Sequence, residues 1–162
     1  MNREEILDEI EKTKEHLANM EKMLERCERE RWEPKKGKTF YYLNSYNVPI
    51  PETWDADCAD TAHYNIYNCF ETREQAEVEA EKILVRRQLE DIAKRLNKGE
   101  EIDWFDSEQP KHCIELFCND IITNFYFSHK IQGVVYCLDR NFKDIAIQEI
   151  GEQRLKAYLK GE

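Results

Sequence analysis

Residues 68–99 read NCFETREQAEVEAEKILVRRQLEDIAKRLNKG, from Asn68 to Gly99. Thr72 and Gln75 have the spacing of a capping box, in which the hydroxyl satisfies an early helix amide and the glutamine reaches back to the cap. No proline or glycine follows until Gly99, so the spacing predicts a helix from Arg73 to about Asn97, stopped by that glycine. Its apolar positions, Ala76, Ala80, Ile83 and Leu84, then Leu89, Ile92 and Leu96, drift around the axis. The two halves of such a helix bury different faces.

On either side of this helix the pattern is that of strands. Upstream, Thr39–Leu43 is β-branched and aromatic, after a turn marked by Pro34 and Gly37. Pro49 and Pro51 end regular pairing there or confine the segment to a sheet edge. A second strand is expected at His63–Tyr67. Downstream, Cys113–Phe117 and Ile121–Phe127 alternate as strands, with Asn119 and Asp120 as the hairpin turn. A further strand is expected at Gly133–Leu138, then a short helix from Asn141–Asp144, punctuation at Gly151, and helical turns over Glu152–Leu159. Phe70 and Phe142 each follow a strand and precede a capped helix, an echo that suggests two hairpin-plus-helix units.

The N-terminal segment has a different period. Ile6, Ile10, Thr13, Leu17, Met20, Leu24 and Cys27 recur at alternating spacings of four and three, with Ile10, Leu17 and Leu24 at a and the others at d. Pro34 ends the run. Leu7 and Met23 widen the stripe, so either three or more helices associate or one edge packs on the protein's own body. A helix of this kind is stabilised mainly by packing. Self-association through residues 1–31, with Ile6, Ile10, Leu17, Met20 and Leu24 in the seam, is therefore expected. The fold class is thus α+β: a long N-terminal coiled-coil helix at 1–31, followed at 32–162 by a small antiparallel sheet with one long and one or two short helices.

Bulk properties bound the function. The chain has 162 residues, 24 Lys plus Arg, 34 Asp plus Glu and a formal charge of -10. Residues 1–31 carry ten acids and seven bases, leaving -7 for the rest. This acidity disfavours direct nucleic-acid binding, which needs a surplus of cations on some face. No leader is legible at the start of the chain and no window has the roughly 18 apolar residues of a membrane span, so a cytoplasmic protein without membrane partners is expected. The six cysteines, at 27, 58, 69, 113, 118 and 137, are mostly in apolar stretches and read as reduced, buried thiols.

A catalytic, cofactor or metal constellation is not specified. The five glycines build no phosphate loop. His112 with Cys113 and Cys118 fits no familiar zinc spacing, and neighbours on a strand point to opposite faces. Asp55, Asp57, Asp60 and His63 lack the glycine turn and terminal glutamate of a calcium loop. Cys58 or Cys69 with His63 is a pair that six cysteines and four histidines produce by chance. Aromatic residues are more informative: Trp32, Phe40, Tyr41, Tyr42, Tyr46, Trp54, Tyr64 and Tyr67 fall within 36 residues. Alternate rings fill a core, and the remainder, with Trp32, Tyr41, Tyr46 and Trp54 as candidates, line a partner-binding surface. Rings beside Arg31, Lys35 or Lys36 would also suit a small nucleotide, stacking its base and holding its phosphate.

The heptad helix, W-E-P-K-K-G-K-T-F-Y-Y from Trp32, N-C-F-E-T-R-E-Q-A from Asn68 and I-G-E-Q-R-L-K-A-Y-L from Ile150 together resemble a group of small, uncharacterised accessory proteins encoded by phages and prophages of Gram-positive bacteria. The last helix, F-K-D-I-A-I-Q-E-I, departs from the usual Phe, Ser or Thr, acid and Ala pattern. The resemblance carries no catalytic residue. It implies the cytoplasm of a bacterial host and a non-enzymatic inhibitor that binds a host defence protein, as anti-CRISPR proteins do. A sponge for a signal nucleotide and a structural or regulatory phage scaffold are the alternatives.

Overall fold

The computed structural model describes Thr13, Lys14 and residues 32–161. The chain divides into two compact units, residues 1–35 and 36–162. In the first, Thr13 and Lys14 are helical and exposed; the seam residues Ile6, Ile10, Leu17, Met20 and Leu24 lie outside the described residues. The second is mixed α and β. In order it holds β1 (Thr39–Leu43), β2 (Pro49–Thr53), α1 (Cys58–Asn65), α2 (Arg73–Leu96), β3 (Lys111–Phe117), β4 (Asp120–Tyr126), α3 (Phe142–Ile150) and α4 (Glu152–Lys160).

The strands form two separate antiparallel hairpins, β1–β2 and β3–β4, where one sheet is expected from the sequence. Each hairpin is extended on the side of its first strand by a single bridged residue. Tyr41 exchanges both backbone hydrogen bonds with Phe70, and His112 does so with Cys137. Beyond each bridge the chain enters a helix, α2 after Phe70 and α3 after Cys137. Cys137 thus stands to its hairpin as Phe70 does, whereas Phe142, the sequence-based counterpart of Phe70, is the first, buried residue of α3.

Two predicted strands are corrected. His63–Tyr67 belongs largely to α1, because Asp57 N-caps a helix there, its Oδ1 accepting the amides of Ala59 and Asp60 at 2.8 and 2.9 Å. Gly133–Leu138 contributes only Cys137 to pairing. Tyr136 is buried, and its hydroxyl accepts the Ile131 amide at 2.9 Å, which folds the segment back on itself. The hairpin turn lies one residue earlier than expected. Cys118 and Asn119, with φ of 49° and 68°, make the two-residue connection and Asp120 already pairs with Phe117.

The capping box of α2 is present as predicted, Gln75 receiving and returning the bond of Thr72. The two halves of α2 do bury different neighbours. Ala76 is buried near its start, and Asn47 in the β1–β2 turn donates to the Ala80 carbonyl at 2.6 Å, docking the first hairpin. Val85, Leu89, Ile92 and Ala93 join Ile114 of β3, Cys137, Phe142, Ala146 and Ile150 of α3 and Leu155 of α4 in one core. Removing such side chains from water supplies roughly 1.5–3 kcal/mol each. A smaller aromatic group, Phe40 edge-on to Trp54 at 5.5 Å and Trp54 against Tyr64 at 6.1 Å, fills the space under the first hairpin.

Candidate functional site

The site is built where the connection 97–110 meets the segment after β4. Trp104 stands edge-on to Tyr136, ring centroids 4.9 Å apart. Lys111, fully buried on β3, holds the connection in place: its Nζ donates to the carbonyls of Asp106 at 2.6 Å and Phe127 at 2.7 Å. The same Nζ lies 5.8 Å from the Trp104 ring centre, as does Nζ of exposed Lys130. The ring therefore meets two cations. Around it opens a cleft of about 630 Å³ floored by Ala93, Ile102, Val134, Val135 and Tyr136. Charges of both signs rim it, Glu90, Glu100 and Glu101 against Lys94 and Lys130. Glu90 is engaged by Arg86, one turn earlier on α2, at 3.0 Å. A cleft of this size, with an aromatic wall and a few charges, suits a small molecule or the side chains of a partner. Next to Trp104 in sequence, Phe105 is 99% exposed.

A second cleft of about 430 Å³ shares Asn97 and Glu100 with the first and is lined by Lys98, His112, Asp139, Arg140 and Asn141. Nδ1 of His112 is buried there without a hydrogen-bond partner, and burial holds the imidazole below its usual pKa. Asp139 is turned away to the amide and side chain of Asn141, at 2.8 and 3.0 Å.

No family model matches the chain. No curated protein and no solved structure matches it either.

The sulfur and carboxyl groups serve the scaffold. Burial pushes the Cys113 thiol up to about 12, with the Glu115 carboxylate adding to it. Burial also raises the Cys137 thiol, which donates to Asn97 Oδ1 at 3.2 Å. Both are held as thiols, the form without nucleophilic power. Cys58, Cys113, Cys118 and Cys137 are free thiols. Glu115 accepts from Asn124 at 3.0 Å and from the Tyr126 hydroxyl at 2.9 Å, bonds that hold it ionised below the usual carboxylate range. Asp60, buried on α1, accepts the amides of Asp55 and Ala56 at 2.7 and 3.0 Å. These acids bind backbone and side-chain donors, and among the described residues no group of three metal-ligating side chains converges.

The four aromatic residues singled out from the sequence are dispersed in role. Trp54 is 6% exposed and belongs to the aromatic core, which removes it from any surface. Tyr46 is 85% exposed in the β1–β2 turn. Tyr41 is half-buried with its backbone committed to Phe70, and Trp32, half-buried, lies in the first unit. Trp104 and Tyr136 escape sequence reasoning because they sit 32 positions apart, Trp104 in a connection without helical or strand period and Tyr136 in a segment whose pattern reads as a strand. The one local signal is the Asp103-Trp104-Phe105-Asp106 run, a large apolar pair set between acids in a turn-like connection.

Among the described residues no helix is long and apolar enough to cross a membrane.

Proposed function

We propose that this protein is a non-enzymatic accessory protein of a phage or prophage that binds and inhibits a bacterial host defence protein. The observation that supports this reading best is the 97–110 connection, where Lys111 holds the backbone beside Trp104 and Phe105 is left fully in solvent. An apolar ring with no intramolecular use, beside a pre-formed aromatic cleft, is how a protein presents an anchor to a partner. Capture from a bacterial host lysate with the full chain tests it, using Phe105→Asp, a change at a fully exposed side chain, and Trp104→Ala. A single partner that is recovered by the parent chain and lost with both variants is expected. Equal recovery by all three proteins overturns the reading.

The cleft itself favours a second reading, a sponge for a signal nucleotide. Trp104 offers a ring to a base, and Lys94 and Lys130 offer cations to a phosphate. Native mass spectrometry of protein taken from infected cells, with quenching of Trp104 emission by the released ligand, is the test. Protein that is apo at every nucleotide concentration removes it.

A further inference from the structure

The free edges of the two hairpins are treated differently by the sequence. In the first hairpin, Tyr41 and Leu43 turn their backbone groups away from β2, Tyr41 toward Phe70 and Leu43 toward the side chain of Asn68. Their cross-strand partners are Pro51 and Pro49. In an antiparallel ladder the residues opposite such groups also turn theirs outward. Both prolines therefore stand where the missing N–H costs the ladder nothing and closes the outer edge to any further strand.

In the second hairpin His112 faces Cys137 as Tyr41 faces Phe70, so the same alternation turns the backbone of Ile121, Thr123 and Phe125 outward from β4. Phe125 takes the place of Pro51 and Thr123 that of Pro49. Residues 121–127, Ile-Ile-Thr-Asn-Phe-Tyr-Phe, contain no charge and no proline in a chain that is 36% charged. Among the described residues, the one outward group of Ile121, Thr123 and Phe125 that is covered is the Phe125 amide, by its neighbour Asn124 Oδ1 at 2.9 Å. Phe125 itself is 53% exposed. Among the described residues β4 pairs with β3 alone.

We propose that the outer edge of β4 is a self-association surface, where β4 of a second copy pairs antiparallel about a two-fold axis at Thr123. The register is self-complementary. Thr123 meets Thr123 of the other copy through two hydrogen bonds, and the Ile121 amide meets the open carbonyl of Phe125. Ile121 and Phe125 side chains lie opposite each other twice, a favourable apolar and aromatic pair. Asp120, the one charge on the strand, falls opposite Tyr126 and not opposite its own copy, so the pairing sets no like charges together. Two two-stranded sheets become one of four strands, which removes the edge. The residues of this edge are distinct from the 97–110 connection on which the proposed function rests.

Amide-resolved hydrogen exchange on the full chain, at low and at high protein concentration, reads the edge directly. The amides of Ile121 and Thr123 are expected to slow on the order of tenfold or more as concentration rises, because pairing closes them. Those of Ile122 and Asn124, which face β3, stay protected at both. Thr123→Pro copies the device at Pro49 and is expected to abolish the concentration dependence at Ile121 while Ile122 and Asn124 keep their protection. Should Thr123→Pro disturb the hairpin, Thr123→Lys guards the same edge with a charge and is read the same way. Ile121 and Thr123 amides that exchange freely at every concentration overturn the proposal. So does protection that ignores concentration, or protection that arises only when host lysate is added, which would assign the edge to a foreign strand.

Discussion

Asn68 pairs with the backbone of Leu43 as a neighbouring strand would. Its Oδ1 accepts the Leu43 amide and its Nδ2 donates to the Leu43 carbonyl, both at 2.8 Å. With Tyr41 and Phe70 exchanging backbone bonds two residues away, a side-chain amide lengthens the third strand of the first hairpin by one pair. Replacing Asn68 by Ala leaves both Leu43 groups without partners, at a cost of about 1–3 kcal/mol. A denaturant midpoint lowered with unchanged slope is the expected result, and Asn68→Asp restores only the acceptor half.

Lys111 is expected to hold the Trp104 cleft together. Lys111→Met keeps most of the side-chain volume but strands the carbonyls of Asp106 and Phe127. The loss should be roughly 1.5–3 kcal/mol, the range for hydrogen bonds from charged groups. Trp104 emission should shift to the red in the folded variant as the connection loosens; an unmoved spectrum would mean that the ring is positioned by Tyr136 alone.

Thiol reactivity should divide the cysteines. Cys58 and Cys118 are exposed, while Cys113 and Cys137 are buried with raised pKa values. Alkylation at neutral pH, followed by peptide mapping, should label the first pair quickly and the second only after unfolding. The linkage has a definite sign. Unfolded Cys113 ionises near the ordinary value of 9.0 and the folded residue near about 12, so the unfolded chain releases its proton first. This contribution is fully present below pH 9.0 and declines as the pH rises toward about 12. Cys113→Ser should flatten stability over that window.

His112 carries a penalty that a ring without nitrogen avoids. Its buried Nδ1 lacks a partner and desolvation lowers its pKa. The proton is thus taken up more readily by the unfolded chain, and stability falls as the pH drops below the ordinary value of 6.5. His112→Phe keeps the contact with Phe125 and should be neutral or stabilising at neutral pH, with less loss in mild acid, as read by thermal melting at several pH values.

Gly151 separates α3 from α4 at φ 97° and ψ 138°. A Cβ there would meet no atom within 4 Å, so Gly151→Ala tests backbone strain alone. A cost of about 1–3 kcal/mol is expected in a melting experiment. A smaller value would show that the two helices relax into one another.

Much of this architecture is legible in the residues themselves. Thr72 and Gln75 define the start of α2, Gly151 divides the last two helices, and Pro49 and Pro51 mark an edge, because each of these acts through bonds within a few residues. The local rules fail where distant partners decide. The β-propensity of His63–Tyr67 yields to the cap at Asp57, and Gly133–Leu138 loses its pairing to the burial of Tyr136. Trp54 looks like a surface ring until Phe40 and Tyr64 close around it. Composition and period thus determine the α+β class, the long central helix and the second hairpin, whereas the pairing of Pro49–Thr53 with Thr39–Leu43 is not among the strands they mark. Only tertiary packing decides that the strands make two sheets, that Trp104 and Tyr136 share one cleft, and that among the described residues β4 pairs on one side alone. Those outcomes depend on which backbone groups find partners tens of residues away, and no local pattern encodes that.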